Sequence, residues 1–313
     1  MPVTLGKLVR VDPREQWKDE AREFTPWLAR PENIAILGET LDIDLEVVAQ
    51  ERNVGPFRAD ILCKDTTDDH WVLVENQLET TDHKHLGQLL TYAAGLEAVT
   101  IIWIARKFTE EHKSALDWLN RATNDSINFF GLEVELWRID SSSPAPKFNL
   151  ISKPDDWART VKQSTGDGQI TDTKKLQMDF WAAFRAYLKE SGSHIHTQKP
   201  LPQHWTNISI GRSGFHLVAT ANTKDKKQEV YLCLTGPKAK ANFKLLQSQQ
   251  SAIDKVFGPG LNWRELPDNK ESQVRTSFPG DVMDKASWPG LHSQLRGVVE
   301  NFHRTFSDRI KAL

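Results

Sequence analysis

Phe57-Arg58-Ala59-Asp60-Ile61-Leu62 and Trp71-Val72-Leu73-Val74-Glu75-Asn76-Gln77-Leu78 read as two strands that carry acids and amides where hydrocarbon is expected. Both runs are rich in the β-branched and aromatic residues that suit a pleated, half-buried surface. A carboxylate in such a strand is costly unless something compensates its charge. Two on neighbouring strands repel each other, and a bound cation is the usual remedy. Asp60 and Glu75 are therefore candidate ligands of a hard divalent ion, Mg2+ or Mn2+, with a backbone carbonyl and water completing the oxygen set.

The surrounding sequence supplies the geometry. Leu45 to Asn53 and Phe57 to Lys64 are strand-like and joined at Val54-Gly55-Pro56, a hairpin signal. A two-residue turn pairs Val54 with Phe57 and sets Glu51 opposite Asp60, on the same face. The next strand runs from His70 to Leu78, and its Glu75 and Gln77, two apart, share a face. Thr81 or Asp82 caps a helix to about Glu97, in which Gln88 and Tyr92 stand at i and i+4, with His85 three before Gln88. Val99 to Ala105 is a continuous apolar run, expected of a strand covered on both faces. Thr109 caps a helix to about Thr123, and Leu132 to Ile139 is the expected last strand of this half. Upstream, Trp17 to Ala29 reads as a helix, and Pro31 opens another to about Thr40.

Asp140-Ser141-Ser142-Ser143-Pro144 is turn-rich, and Ser164-Thr165-Gly166-Asp167-Gly168 is the most linker-like segment. These breaks place one domain at 1–158, a linker at 159–173 and a second domain at 174–313. The second half predicts a helix from Lys174 to Glu190 and a meander of Trp205–Ile210, Phe215–Ala221 and Glu229–Thr235. A helix from Ala239 to Phe257, a strand near Trp263 and a final helix from Trp288 to Ile310 complete a smaller α+β unit with an antiparallel sheet. No independent catalytic set is visible there.

The 313 residues carry a formal charge of −2, so there is no global basic field of the kind that coats nucleic acid nonspecifically. The lysine runs at Lys224–Lys227 and at Lys238, Lys240 and Lys244 read as solvated turns and helix faces. Eleven tryptophans, spread through both halves, read as core anchors. Cys63 and Cys233 lie far apart in apolar segments and read as reduced thiols, which points to the cytoplasm. No apolar run approaches the length of a membrane span, and no signal-peptide pattern opens the chain. His70, His83, His85 and Cys63 fit no zinc spacing, and the histidines read as a solvated helix start.

Asp60 followed by Glu75-Asn76-Gln77 resembles the signature of the PD-(D/E)XK nuclease superfamily. Gln88-x-x-x-Tyr92 looks like the helix motif of its RecB-type branch. The wider stretches Val54–Ile61 and Glu75–His83 resemble a bacterial family that joins such a domain to a C-terminal domain of unknown function, so the resemblance covers essentially the whole chain. It implies a restriction-endonuclease-like α/β fold, with a mixed central sheet flanked by helices, and metal-dependent hydrolysis of DNA. On this resemblance Asp60, Glu75 and the Asn76 carbonyl hold the ion, and Glu51 is a candidate further acid, although a salt bridge to Arg58 suits it equally. Gln77 occupies the position of the motif Lys, a departure that exchanges a cation for a neutral hydrogen-bonding amide. Gln88 and Tyr92 would contact the DNA backbone or brace the site and Arg58 would bind the substrate, with a core aromatic as the other reading of Tyr92. The implied partner is DNA, with a homodimer or a protein partner of the C-terminal domain as further expectations, and a role in defence by analogy. The alternative is a nuclease-fold protein without catalysis that binds nucleic acid or protein.

Overall fold

Both acid-bearing runs are strands in the computed structural model, which describes residues 5–54, 57–95, 99–123, 127–154 and 171–313. The chain divides into two units, Met1–Asp65 with His70–Gln163, and Thr66–Asp69 with Ser164–Leu313. The expected Gly55-Pro56 turn and most of the expected linker lie outside the described residues. No helix among the described residues is long and apolar enough to cross a membrane.

The first unit opens with β1 (Leu8–Val11), α1 (Pro13–Gln16), a π-helical turn (Glu20–Phe24), α2 (Thr25–Leu28) and α3 (Pro31–Leu41). It continues with β2 (Leu45–Val54), β3 (Phe57–Asp65), β4 (Trp71–Thr80), α4 (His83–Gly95), β5 (Val99–Lys107), α5 (Glu110–Ala122), β6 (Asn128–Ile139) and β7 (Ala145–Ser152). The single helix expected over Trp17 to Ala29 is instead a π-turn followed by one α-turn. Asp19 caps the π-turn by accepting from the Arg22 N–H at 2.8 Å. Pro26, lacking an N–H, cannot carry a regular ladder through this stretch.

Seven strands form one mixed sheet in the order β1-β6-β5-β4-β3-β2, with β7 paired to β6. The neighbours β2–β3 and β3–β4 are antiparallel, whereas β4–β5 and β5–β6 are parallel, with α4 and α5 as their crossovers. One face packs Phe24, Leu28, Ile34 and Leu37 against Ile61, Val72, Val74 and Ile102. The other packs Leu89, Tyr92 and Leu116 against Leu73, Ile101 and Trp103. That double cover is why Ile101 to Ala105 are all buried. Gly131 lets α5 settle directly on β6, since a Cβ there would lie 2.9 Å from the Leu116 methyl and 3.0 Å from the Phe108 ring. Leu132 to Ile139 is not the last strand. After the Ser-rich turn, β7 returns antiparallel along β6, and β1 pairs with residues 136–139. Both additions bury few side chains (Val11 alone in β1, Phe148 and Ser152 in β7), so they lack the alternation by which a strand is recognised.

The second unit contains α6 (Asp172–Glu190), β8 (Trp205–Ser209), β9 (Phe215–Thr220), β10 (Lys227–Leu234), α7 (Ala239–Gln247), α8 (Gln250–Phe257), β11 (Asn262–Arg264), β12 (Ser272–Pro279) and α9 (Trp288–Lys311). Its antiparallel sheet runs β11-β12-β10-β9-β8. Phe180 and Phe184 of α6, with Leu291, Leu295, Val299, Phe302 and Phe306 of α9, recur at helical spacing and cover Leu217, Val230, Leu232 and Val274. The helix expected over Ala239 to Phe257 breaks at Ser248, whose hydroxyl donates to the Leu245 carbonyl at 2.8 Å and competes with the helical ladder. A groove of about 670 Å3 is lined by Gln177, His204, Lys227, Tyr231 and Arg275, among others. Arg275 stands 4.4 Å from the Tyr231 ring centre and pairs with Glu229 at 2.9 Å.

Lys240 corrects the reading of its neighbourhood as a solvated basic face. Its ammonium donates to the carbonyls of Glu265 at 2.5 Å, Leu266 at 2.6 Å and Glu271 at 2.7 Å, with the Ser272 hydroxyl at 3.2 Å. The side chain fastens α7 to the loop that precedes β12. Lys238, by contrast, is exposed.

His292 is the buried polar residue at the centre of an aromatic cluster. The rings of Phe180, Phe184, Trp288 and Tyr187 have their centres 4.6, 5.5, 6.1 and 6.2 Å from the imidazole. Its Nε2 has no hydrogen-bond partner. Burial pushes the imidazole down to about 4, against a hydrogen bond with the Phe180 backbone. A base whose folded pKa lies below its ordinary 6.5 costs stability as pH falls from 6.5 towards 4, because the unfolded chain takes up the proton first. A displacement of that size is worth at most about 3 kcal/mol. His292→Phe is therefore expected to move the acid unfolding midpoint, followed by circular dichroism, to lower pH. An unchanged midpoint would assign acid lability elsewhere.

Both cysteines are buried and free, and burial pushes the Cys63 thiol up to about 12.

Candidate functional site

Residue placement at the site begins with the hairpin. Val54 pairs with Phe57, and Arg52 with Ala59, a register that sets Glu51 across from Asp60. On the other side Ile61 pairs with Val74, so the next step sets Asp60 against Glu75. The β3–β4 ladder ends at the Ile61–Val74 rung. Beyond it, the Asp60 carboxylate takes the place of a backbone acceptor: its Oδ2 receives the Asn76 N–H at 2.8 Å and the Asn76 amide at 3.0 Å. The same Asn76 amide accepts from the Thr25 hydroxyl at 3.1 Å, which ties the acid to the opposite sheet face.

Glu75 is 3% exposed, and its Oε2 is buried without a hydrogen-bond partner. Burial pushes its carboxyl up to about 9, and the charge of Asp60 adds to this, followed by Glu20 and Glu51. Burial likewise raises Asp60 to about 7, opposed by the Asn76 N–H and supported by Glu20 and Glu51. Two acids that burial first, and like-charged neighbours second, drive towards the protonated form make a site short of positive charge.

Glu20 was not legible as a site residue. It opens the π-helical turn, and its Oε2 accepts the Leu78 N–H of β4 at 2.6 Å. Burial raises its pKa, partly offset by that hydrogen bond and by His85 and Arg14. Nothing local distinguishes it from the acids common in first turns of helices; only the arrival of β4 does.

The other expected residues divide. Glu51 sits at φ 51°, a left-handed conformation unusual for a strand, and its carboxylate is held by Arg58 Nε at 2.9 Å. Arg58 Nε also reaches the Glu51 carbonyl at 2.9 Å. Tyr92 is fully buried and donates to the Arg58 carbonyl at 3.0 Å, so it braces β3 from within the core. Burial raises its phenol pKa, with the charges of Glu75 and Asp60 next, while a Gln88 hydrogen bond opposes them. Gln88 Oε1 is a second buried acceptor without a partner. Gln77 is buried with its amide engaged: Oε1 accepts from the Trp103 indole at 2.9 Å, and Nε2 donates to the Thr80 carbonyl at 2.8 Å and lies 3.4 Å from Asp82 Oδ2.

The histidines beside the site are more ordered than a solvated helix start. Asp82 caps α4 by accepting the His85 N–H at 2.9 Å, and its Oδ2 also holds His85 Nδ1 at 2.8 Å. His112 is buried, 3.0 Å from His83 Nδ1 and 2.8 Å from the Thr81 hydroxyl.

Among the described residues, no three His, Cys, Asp or Glu side chains are gathered in a metal-holding arrangement. An ion between Asp60 and Glu75 would thus draw on two carboxylates, the Asn76 carbonyl and water. That hard-oxygen, partly hydrated set suits Mg2+, which keeps several waters, and the bare Glu75 oxygen is the acceptor it would satisfy.

The family model "Domain of unknown function (DUF4268)" matches residues 176–310. No curated protein sequence matches the chain. Among solved structures, the chain is similar to a repair endonuclease from Pyrococcus abyssi, at 22% identity and a TM-score of 0.29, covering 37% of this chain and 47% of that one. It is also similar to SfsA of Pyrococcus furiosus in complex with Ca2+, at 16% identity and a TM-score of 0.23, covering 38% of this chain and 58% of that one. The chain thus spans about half the length of these structures, 47% and 58%. Likeness of this degree transfers no activity.

Proposed function

We propose that the first unit is a PD-(D/E)XK-type nuclease that hydrolyses phosphodiester bonds of DNA with Mg2+ or Mn2+. The observation that carries this reading is the buried, partnerless Glu75 oxygen beside a second raised carboxylate, Asp60. When bound, the ion supplies charge that acidifies a water and neutralises the phosphoryl oxygen. Asp60 and Glu75 hold it, with the Asn76 carbonyl. Glu20 adds negative charge from the π-turn. Glu51 is engaged by Arg58, so it acts on the field of the site and on hairpin shape. Tyr92 and Gln88 brace β3 and the site edge, and Gln77 locks the end of β4 to Trp103. A role in defence rests on analogy alone.

The test is cleavage of plasmid and single-stranded DNA with Mg2+ or Mn2+. Asp60→Ala and Glu75→Ala are each expected to lower the rate by a factor on the order of 1,000. Equal rates for all three proteins would end the assignment.

One observation favours a second reading. The motif Lys position holds Gln77, whose amide is committed to Trp103, Thr80 and Asp82. In that case the fold binds nucleic acid without cutting it, and salt-dependent retention of DNA without products distinguishes it.

A further inference from the structure

We infer that His85, oriented by Asp82, is the proton-accepting group of this site and does the work that the missing lysine cannot. The inference rests on the nuclease reading and names a further catalytic residue within it.

Gln77 stands where the motif places a cation, yet an amide can neither carry charge nor take a proton at neutral pH. Its Nε2 lies 3.4 Å from Asp82 Oδ2, and that oxygen binds His85 Nδ1 at 2.8 Å. The chain Gln77–Asp82–His85 therefore leads from the neutral motif position to a titratable ring. Asp82 grips the residue twice, since Oδ1 also accepts the His85 N–H at 2.9 Å. A carboxylate on Nδ1 fixes the tautomer in which Nε2 is the free base, and it stabilises the imidazolium once a proton arrives. The side chain is only 19% exposed, so the ring is held against the protein at the start of α4. Its charge acts on Glu20, whose own charge acts on Asp60 and Glu75. The titratable groups facing His85 are thus Asp82 from its own cap and Glu20 from the π-turn, with Arg14 and Glu79 acting on Glu20 behind them. Lys84 reaches Glu75 only through its field, from an exposed position.

In the step proposed, a water attacks phosphorus and gives one proton to His85 Nε2 as the new O–P bond forms. The P–O bond to the leaving oxygen breaks, its electron pair stays with that oxygen, and solvent protonates it. The imidazolium then returns its proton to solvent. The products are a phosphate monoester and an alcohol, with no other reactant required.

The experiment is the initial rate of DNA cleavage by the full chain with Mn2+ against pH, for wild type, His85→Gln and Asp82→Asn, with thermal melts of each. His85→Gln is expected to melt like wild type, to cut about 100-fold or more slowly, and to lose the rising limb that a titrating base gives the profile. Added imidazole restores part of the rate. Asp82→Asn, which keeps the cap but loses the carboxylate that orients Nδ1, lowers the rate by about tenfold. If His85→Gln keeps the wild-type rate and limb while Glu75→Ala does not cut, this inference fails and the nuclease reading stands. If wild type cuts nothing with either ion, both fall.

Discussion

Glu75→Gln is expected to raise the melting temperature of the metal-free protein at pH 8 and to remove the response of that temperature to Mn2+. The folded state holds the Glu75 carboxyl at about 9, far above the ordinary 4.5, chiefly through burial and then through the charge of Asp60. The direction of the effect follows. A carboxyl raised in the folded state contributes fully below pH 4.5, and that contribution drains away as pH rises towards 9. A displacement of this size is worth on the order of several kcal/mol, and the shared titration with Asp60, raised to about 7, spreads the loss over the same range. Wild type should therefore soften progressively from pH 5 to 9, by roughly 10 °C in midpoint for a fold of this size. Mn2+ should reverse the loss at the alkaline end, because an ion bound only by the folded, ionised site stabilises it. Gln at position 75 keeps the shape and drops the charge, so its curve should be flatter against pH and indifferent to the ion. Parallel pH curves for the two proteins would show that the bare oxygen carries no such cost.

Lys240→Met should unfold the second unit early. The substitution keeps the length of the aliphatic stem and removes the donors that serve three backbone carbonyls and the Ser272 hydroxyl. Two of the carbonyls keep another donor, Glu265 the Ser272 hydroxyl at 2.8 Å and Leu266 the Asn269 N–H at 2.9 Å, so the loss is that of the bonds to the charged ammonium, on the order of 3 kcal/mol in all. In scanning calorimetry of the full chain this corresponds to a drop of about 10 °C in the transition of that unit. Lys240→Arg should not restore it, because a planar guanidinium cannot aim its N–H groups at three carbonyls converging on one compact ammonium. A Met variant that melts with wild type would mean the loop before β12 is held by other contacts.

How much of this was legible depended on the range of the forces involved. The β2–β3 register, the buried β5 and the Thr109 cap of α5 follow from alternation, turn length and capping, all local properties. The adjacency of Asp60 and Glu75 on paired strands could be argued from strand order because side-chain direction has a period of two. Glu20 could not, since its role exists only once Leu78 presents an N–H from 58 residues away. Lys240 escaped for the same reason: three carbonyls from a distant loop turn an ordinary helix lysine into a clamp. β1 and β7 offer few buried side chains, so no pattern announces them. The commitment of Gln77 to Trp103 was likewise hidden, because it depends on the parallel pairing of β4 with β5.

The sealed oxygen at position 75 also sets a direction for drift across generations. On the nuclease reading, any replacement that discards its charge would relax the fold while removing an ion ligand, so selection for sturdiness and selection for cutting would pull against each other there. On the same reading, lineages released from a need to cut should shed this acid before they lose anything else in the sheet.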